Sequence, residues 1–267
     1  MKTFGFIGCG NMGSALAAAA AKAGGALLLA DTDSKKAAAL AEALGGTTAS
    51  NETIAETCDL VFLAVKPQVL PGVLSALAPV FAARKSPFTL VSMAAGVPIA
   101  SIEQYAGGSC PVIRIMPNLP AACGAGMIFY ARNALVAEDL LDLFKKALTP
   151  AGKLDPLPEG MIDAASAISG CGPAFVWMFA EAMADAGVSL GLSRETALSC
   201  SLQTLLGAAQ YAITSGEHPE SLKDKVCSPA GSTIEGVKAL ERGGFRAAAI
   251  DAVEKAYERT AALGKKD

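Results

Sequence analysis

Histidine is nearly missing from this chain: among 267 residues only His218 is one. That scarcity removes His-built metal clusters and leaves any Ser-His-Asp triad dependent on one residue in a polar turn. No CxxC spacing occurs among the seven cysteines (Cys9, Cys58, Cys110, Cys123, Cys171, Cys200, Cys227), which are odd in number and widely scattered. Both a zinc site and a disulfide framework are thereby disfavoured, and the pattern suits a reducing, cytoplasmic setting. Charge of one sign is lacking too. With 22 Lys+Arg against 25 Asp+Glu, a formal net charge of −3 and no basic block, the chain offers no counterion-releasing surface to nucleic acid. No membrane segment is expected: three glycines and Asn11 interrupt the first apolar run, and Glu181 and Asp185 lie inside the longest, Pro173–Leu190.

What is present is core material. Hydrophobic residues make up 52% and charged ones 18%, which excludes disorder and coiled coil and leaves a small-molecule ligand as the default. Short apolar runs at Thr3–Gly8, Leu27–Asp31, Leu60–Val65, Phe88–Met93 and Pro111–Met116 read as strands. Helical stretches at Met12–Ala23, Ser34–Leu44, Val69–Ala83 and Pro98–Tyr105 alternate with them, the pattern of βαβ units in a parallel sheet. A strand at Met127–Ala131, a helix at Glu138–Leu148 and a strand at Lys153–Leu157 follow. Past Pro158 the β-branched runs stop and everything to Lys266 reads as helix, which divides the chain into residues 1–158 and 159–267. Within the second part, Pro173–Val188 spreads Phe175, Trp177, Met178, Phe179 and Met183 around one helix, so it is expected to be buried on all sides. So small a domain cannot do that alone. A second subunit covering part of the helix is the favoured reading, and a central helix in a monomeric bundle is the alternative.

Gly8-Cys9-Gly10-Asn11-Met12-Gly13 directly follows the first strand and opens the first helix, the context that gives G-x-G-x-x-G its meaning. A tight turn is needed at Gly8, bare backbone at Gly10 where a pyrophosphate approaches, and close helix-strand contact at Gly13; helix N-terminal amides then face the phosphates. The fold class is therefore α/β: a Rossmann-like, doubly wound parallel sheet followed by an all-α domain. At the end of the second strand, Asp31 is placed to accept from an adenosine ribose and to repel a 2′-phosphate, with only Lys35 and Lys36 to compensate, so the sequence leans toward NADH over NADPH. Capping by Asp33 or Ser34 explains the same residues without a ligand. Lys66 in Ala64-Val65-Lys66-Pro67 and the small residues Ala94-Ala95-Gly96 end two further strands on the ligand side, as does Arg114-Ile115-Met116-Pro117-Asn118. In the helical half, Ser228-Pro229-Ala230-Gly231-Ser232-Thr233-Ile234-Glu235 reads either as an anion hole at a helix N-terminus or as a capping box of Ser232 with Glu235.

Together these residues resemble pyrroline-5-carboxylate reductase along nearly the whole chain, from Phe4-Gly5-Phe6-Ile7-Gly8 to Gly244-Phe245-Arg246. The most telling stretch runs from Glu217-His218-Pro219 through Leu222-Lys223-Asp224 and Val226-Cys227-Ser228-Pro229 into Thr233-Ile234-Glu235, while Glu181–Val188 matches the family's dimerisation helix. The resemblance implies reduction of 1-pyrroline-5-carboxylate to proline with NADPH or NADH, by a homodimer or an assembly of dimers. It places cofactor contacts at Gly8, Gly10, Asn11, Met12, Gly13, Asp31, Asn51, Ala64, Val65, Lys66, Pro67, Ala94, Ala95 and Gly96. Substrate contacts fall on Ser228, Gly231, Ser232 and Thr233, with Thr233 as the catalytic hydroxyl. Four positions depart from the family pattern: Leu119 stands where Thr is usual, Cys171 where Ser is, Ala230 where Gly is, and Ser232 where Thr is often found. A β-hydroxyacid dehydrogenase, the competing enzyme class, expects a Lys or His between Ile162 and Leu192, and there is none. A nucleotide-binding regulator without turnover is the reading from another class.

Overall fold

Strand β1 (Thr3–Ile7) lies between β2 (Ala26–Ala30) and β4 (Leu60–Leu63), and the full sheet runs β3-β2-β1-β4-β5-β6-β7-β8. The remaining strands are β3 (Thr47–Thr48), β5 (Thr89–Ser92), β6 (Val112–Met116), β7 (Gly126–Arg132) and β8 (Gly152–Pro156). The computed structural model describes residues 2–263; residue 1 of the expected first domain and residues 264–267 of the second lie outside the described residues. The first six strands follow the order of a dinucleotide-binding sheet.

Both faces of the sheet are covered, which is why its strands are apolar along their length. On one face Phe6 stacks on Phe62 with ring centroids 4.3 Å apart, and Leu16, Leu29, Ile115 and Phe144 surround the pair. Helices α1 (Asn11–Lys22) and α6 (Glu138–Leu148) contribute to that layer. On the other face Ile7, Val61, Leu63 and Leu90 meet Leu74 and Leu77 of α4 (Leu70–Ala83) and Ile102 of α5 (Ile99–Tyr105). Each such side chain contributes about 1.5–3 kcal/mol by leaving water.

Two features differ from the sequence reading. The sheet is not wholly parallel: β7 pairs antiparallel with β6 and parallel with β8. The connection 117–125 holds only a short 3₁₀ turn, Leu119–Cys123, too little chain for the crossover that a parallel neighbour needs. Between α2 (Ser34–Leu44) and β4 the chain also forms β3 and α3 (Asn51–Thr57), neither of which was expected. Both residues of β3 are exposed and polar, and α3 buries only Ile54 and Ala55, so hydrophobic pattern had little to mark them.

Cα proximity divides the chain into two compact units, one running to Gly170 with the chain end from Tyr257, the other Cys171–Ala256. Helix α7 (Ile162–Ser169) thus counts with the sheet. Its Ile162 is fully buried in the second core cluster. The second unit contains α8 (Gly172–Ser189), α9 (Arg194–Ser215), α10 (Pro219–Val226), α11 (Ser232–Arg242) and the greater part of α12 (Phe245–Leu263). In the single chain α8 buries only Ala180 and Ala184, and Trp177 is 50% and Met178 70% exposed, so this unit by itself does not bury the helix Pro173–Val188, as its small size led us to expect. Its chief partner is α9, which covers one face.

An ion pair anchors α7 to the sheet. Arg114, the charged residue within β6, is 5% exposed and donates to the Asp163 carboxylate at 2.6 Å. Its second nitrogen lies 3.5 Å from Glu159, whose Oε1 accepts from the Ile99 amide that opens α5. Removing the guanidinium strips two carboxylates of their cation; because these are about one third exposed, the loss falls at the lower end of the buried-pair range. Arg114→Ala is expected to cost about 3 kcal/mol, read as a lower urea midpoint at unchanged m-value, whereas an unaltered midpoint would show that water replaces the pair.

Candidate functional site

The first turn of α1 is shaped by contact with bare backbone. Gly8 has φ +107°, and a Cβ there would sit 2.5 Å from the Ala64 carbonyl oxygen. A Cβ at Gly13 would come within 2.2 Å of the Gly8 oxygen and 3.0 Å of the Ala64 methyl. Gly10 is different, since a Cβ there meets nothing within 4 Å. Packing demands two of these glycines, and the third borders open space. No side chain caps α1, so the amides of Asn11, Met12 and Gly13 face that space with the positive end of the helix behind them. The residues present therefore fit a dinucleotide pyrophosphate.

Asp31 braces the same loop. Its carboxylate accepts from the Cys9 amide at 2.7 Å and from the Asp33 amide at 2.8 Å. Burial pushes this carboxyl up, but the two amides, Lys36 and Thr32 outweigh that and hold it below the usual range. Capping of α2 falls to Asp33, which accepts from Lys35 and Lys36, so the two acids have separate duties. A cavity of about 400 Å³ lined by Asp31, Ser34, Lys35, Thr48 and Ala49 opens beside them. Burial, with Asp31 adding to it, pushes the Cys9 thiol up to about 11, which keeps it a neutral donor to the Ala30 carbonyl rather than a nucleophile.

The other expected cofactor residues gather at the carboxyl ends of β4 and β5, beside the point where the chain order reverses about β1. Ala64, Val65, Lys66 and Pro67 leave β4; the Lys66 carbonyl accepts from Val69 and Leu70 while its side chain is exposed. Ala94 is buried after β5, and Gly96 turns the chain with φ +73°. Asn51 opens α3, behind the Ser50 cap. Asn118 had no role assigned from sequence, yet its amide joins two segments: Nδ2 donates to the Ser169 carbonyl and Oδ1 accepts from the Met127 amide, both at 2.9 Å. The signal available in the sequence was an asparagine just after an apolar strand, and in the fold it is 9% exposed.

In the second unit, α10 and α11 flank the loop 227–231. His218 caps α10, its Nδ1 accepting from the Glu220 amide at 3.2 Å. Glu220 is held down to about 2 by hydrogen bonds from Lys223 and Arg246, which ties α10 to the start of α12. The capping box, one of the two readings of this segment, does not form: Gly231 occupies the N-cap, Ser232 and Thr233 are the first helical residues, and Glu235 pairs with Lys238 at 2.9 Å. The amides at this terminus thus lack a side-chain acceptor of their own. A Cβ at Gly231 would lie 2.3 Å from the Ser228 hydroxyl, so Ser228 lies directly against the N-cap.

Comparison with known proteins agrees with this arrangement. Residues 159–263 match the family model for pyrroline-5-carboxylate reductase dimerisation, and residues 3–96 match that for NADP oxidoreductase, coenzyme F420-dependent. The pyrroline-5-carboxylate reductase of Escherichia coli (strain K12) is 39% identical over 273 residues, covering 99% of each chain. A Plasmodium falciparum pyrroline carboxylate reductase solved with NADP bound is 32% identical, with a TM-score of 0.86 over 99% of this chain and 98% of that one. A Coxiella burnetii pyrroline-5-carboxylate reductase reaches a TM-score of 0.90 at 31% identity, over 98% of each chain. The open space at Gly10, the uncapped N-terminus of α11 and these whole-length relationships agree: the chain belongs to the pyrroline-5-carboxylate reductase family.

Proposed function

We propose that this protein reduces 1-pyrroline-5-carboxylate to proline at the expense of NAD(P)H. The structural observation that carries the reading is Gly10, bare toward open space at the strand-order reversal while its neighbours Gly8 and Gly13 are filled by backbone. When bound, NAD(P)H supplies a hydride for the carbon of the C=N bond. The chain's own work is binding and orientation. Amides of Asn11, Met12 and Gly13 hold the pyrophosphate, Asp31 and Asn51 serve the adenosine side, and Ala64–Pro67 with Ala94–Gly96 line the path toward the nicotinamide. Ser228, Gly231, Ser232 and Thr233 hold the substrate carboxylate at the positive end of α11. The Thr233 hydroxyl stands beside the ring nitrogen, where it accepts from the protonated imine or donates to the amine. No strong base is needed, since the imine nitrogen carries its own proton and positioning with water exclusion suffices.

The working form is a homodimer. Trp177, Met178, Leu206 and Ile213 are 50%, 70%, 62% and 78% exposed in the single chain, more apolar surface than a monomer leaves to water. Residues Glu159–Ser189 are long and apolar enough by length and composition to cross a membrane. A second copy is the better cover, since α7 and α8 break at Gly170–Cys171 and the dimerisation match spans this stretch. All seven cysteines are unpaired, which supports a reducing compartment such as the cytoplasm.

Three outcomes are expected. Purified protein mixed with 1-pyrroline-5-carboxylate oxidises NADPH or NADH, followed by loss of nicotinamide absorbance, and Thr233→Ala lowers kcat/KM roughly ten- to a hundredfold with partial rescue by Ser. Full activity in Thr233→Ala with a lowered Tm would reduce the residue to a structural role. Gly10→Asp abolishes cofactor binding in calorimetry at near-native Tm, whereas a side chain at Gly13 strikes backbone and lowers Tm as well; retained affinity in Gly10→Asp would move the cofactor elsewhere. Met178→Glu dissociates the dimer in sedimentation at micromolar concentration, and a wild-type monomer that is active there would sink the dimer reading.

A further inference from the structure

The turn leading into α11 holds one residue in a conformation that its own chemistry disfavours. Among the described residues Ala230 is the single non-glycine with positive φ, at +58°. The Gly231 amide donates to the Ser228 carbonyl at 3.0 Å, closing the four-residue turn Ser228-Pro229-Ala230-Gly231. Pro229 in second position fixes φ near −65° and so excludes the primed turns; positive φ in third position then makes this turn type II. That position favours Gly, because the left-handed region costs a residue with a Cβ about five- to thirtyfold in population.

Packing does not explain the strain, for Ser228, Pro229 and Ala230 are all exposed. Strain held without a packing cause points toward function. A relaxed alternative lies close by: rotating the Pro229–Ala230 peptide plane turns type II into type I, leaves both ends of the turn in place and lets φ of Ala230 relax to about −90°. The same rotation exchanges the Pro229 carbonyl and the Ala230 amide between the two sides of the turn. Next to a helix N-terminus that favours anions, presenting N–H or C=O decides whether a carboxylate is welcomed or repelled.

We propose that the Pro229–Ala230 peptide is a two-position element and that Ala230 is a positioning residue for substrate binding. The left-handed form binds the substrate carboxylate, and Ala in place of Gly holds part of the population in the other form. The inference rests on the reading of Ser228–Thr233 as the carboxylate site. A ligand that selects one of two forms loses apparent affinity in proportion to the fraction of the other.

Ala230→Gly is expected to lower the KM for 1-pyrroline-5-carboxylate about three- to tenfold, with kcat and the cofactor KM moving less than about twofold. Ala230→Val, whose branched Cβ tolerates positive φ less well, raises that KM instead. The Kd of L-proline, measured by calorimetry on the same variants with reduced cofactor absent, follows the same order and reads the site without turnover. If neither KM nor proline Kd moves in either variant while Tm does, the strain is structural and the inference falls. Wild-type protein that turns over pyrroline carboxylate with such unmoved constants would overturn the peptide switch alone; wild-type protein with no turnover would overturn the carboxylate site and the switch together.

Discussion

How near α1 comes to β1 and β4 governs everything on the nucleotide side of this protein. Gly13 rests on the Gly8 carbonyl and Gly8 on that of Ala64, so three backbone segments meet with no side chain between them. Fixing the helix start there gives its amides a set aim, and Asp31 completes the fixture by taking the Cys9 amide from the neighbouring strand end. A carboxylate already engaged by two amides is rigid at no further entropic expense. The loop can therefore be shaped before any nucleotide arrives, which is the cheapest way for weakly directional phosphate contacts to become specific.

Much of this was legible because the physics behind it is local. A parallel strand covered on both faces must be apolar throughout, so β1, β4 and β5 announce themselves; Asp33 marks a helix start by capping chemistry. What was not legible is equally physical. An apolar run carries no arrow, so the reversal of β7 shows only in the shortness of the segment before it. The two-residue β3 has no buried side chain to leave a trace. Arg114 is the one charge in the sequence Val-Ile-Arg-Ile-Met, and only the arrival of Asp163 and Glu159 from later in the chain explains a buried guanidinium.

The second unit shows the converse. Pro173–Val188 advertised a helix with more greasy faces than one small domain can bury, and the core that would cover them all is not found in the single chain. The Ser232-to-Glu235 spacing likewise offered a capping box, and the helix starts one residue too early to use it. A motif can be present in letters and absent in hydrogen bonds. In this case the unused box leaves the terminus open, so the failure of the local rule is itself the feature that the proposed carboxylate site requires.

The reversal of β7 also fixes a length. Because β8 runs with β7, the chain leaves the sheet at the end remote from the glycine loop, and α7 climbs back beside β6 from Arg114 to the Asn118 amide. Its 8 residues rise about 12 Å. Adding or deleting a single residue in α7 would turn its last carbonyl by about 100° around the helix axis and carry Ser169 away from Asn118. Natural insertions should thus be tolerated in the turns on either side of this helix and purged within it, making α7 a ruler whose graduation is one peptide unit.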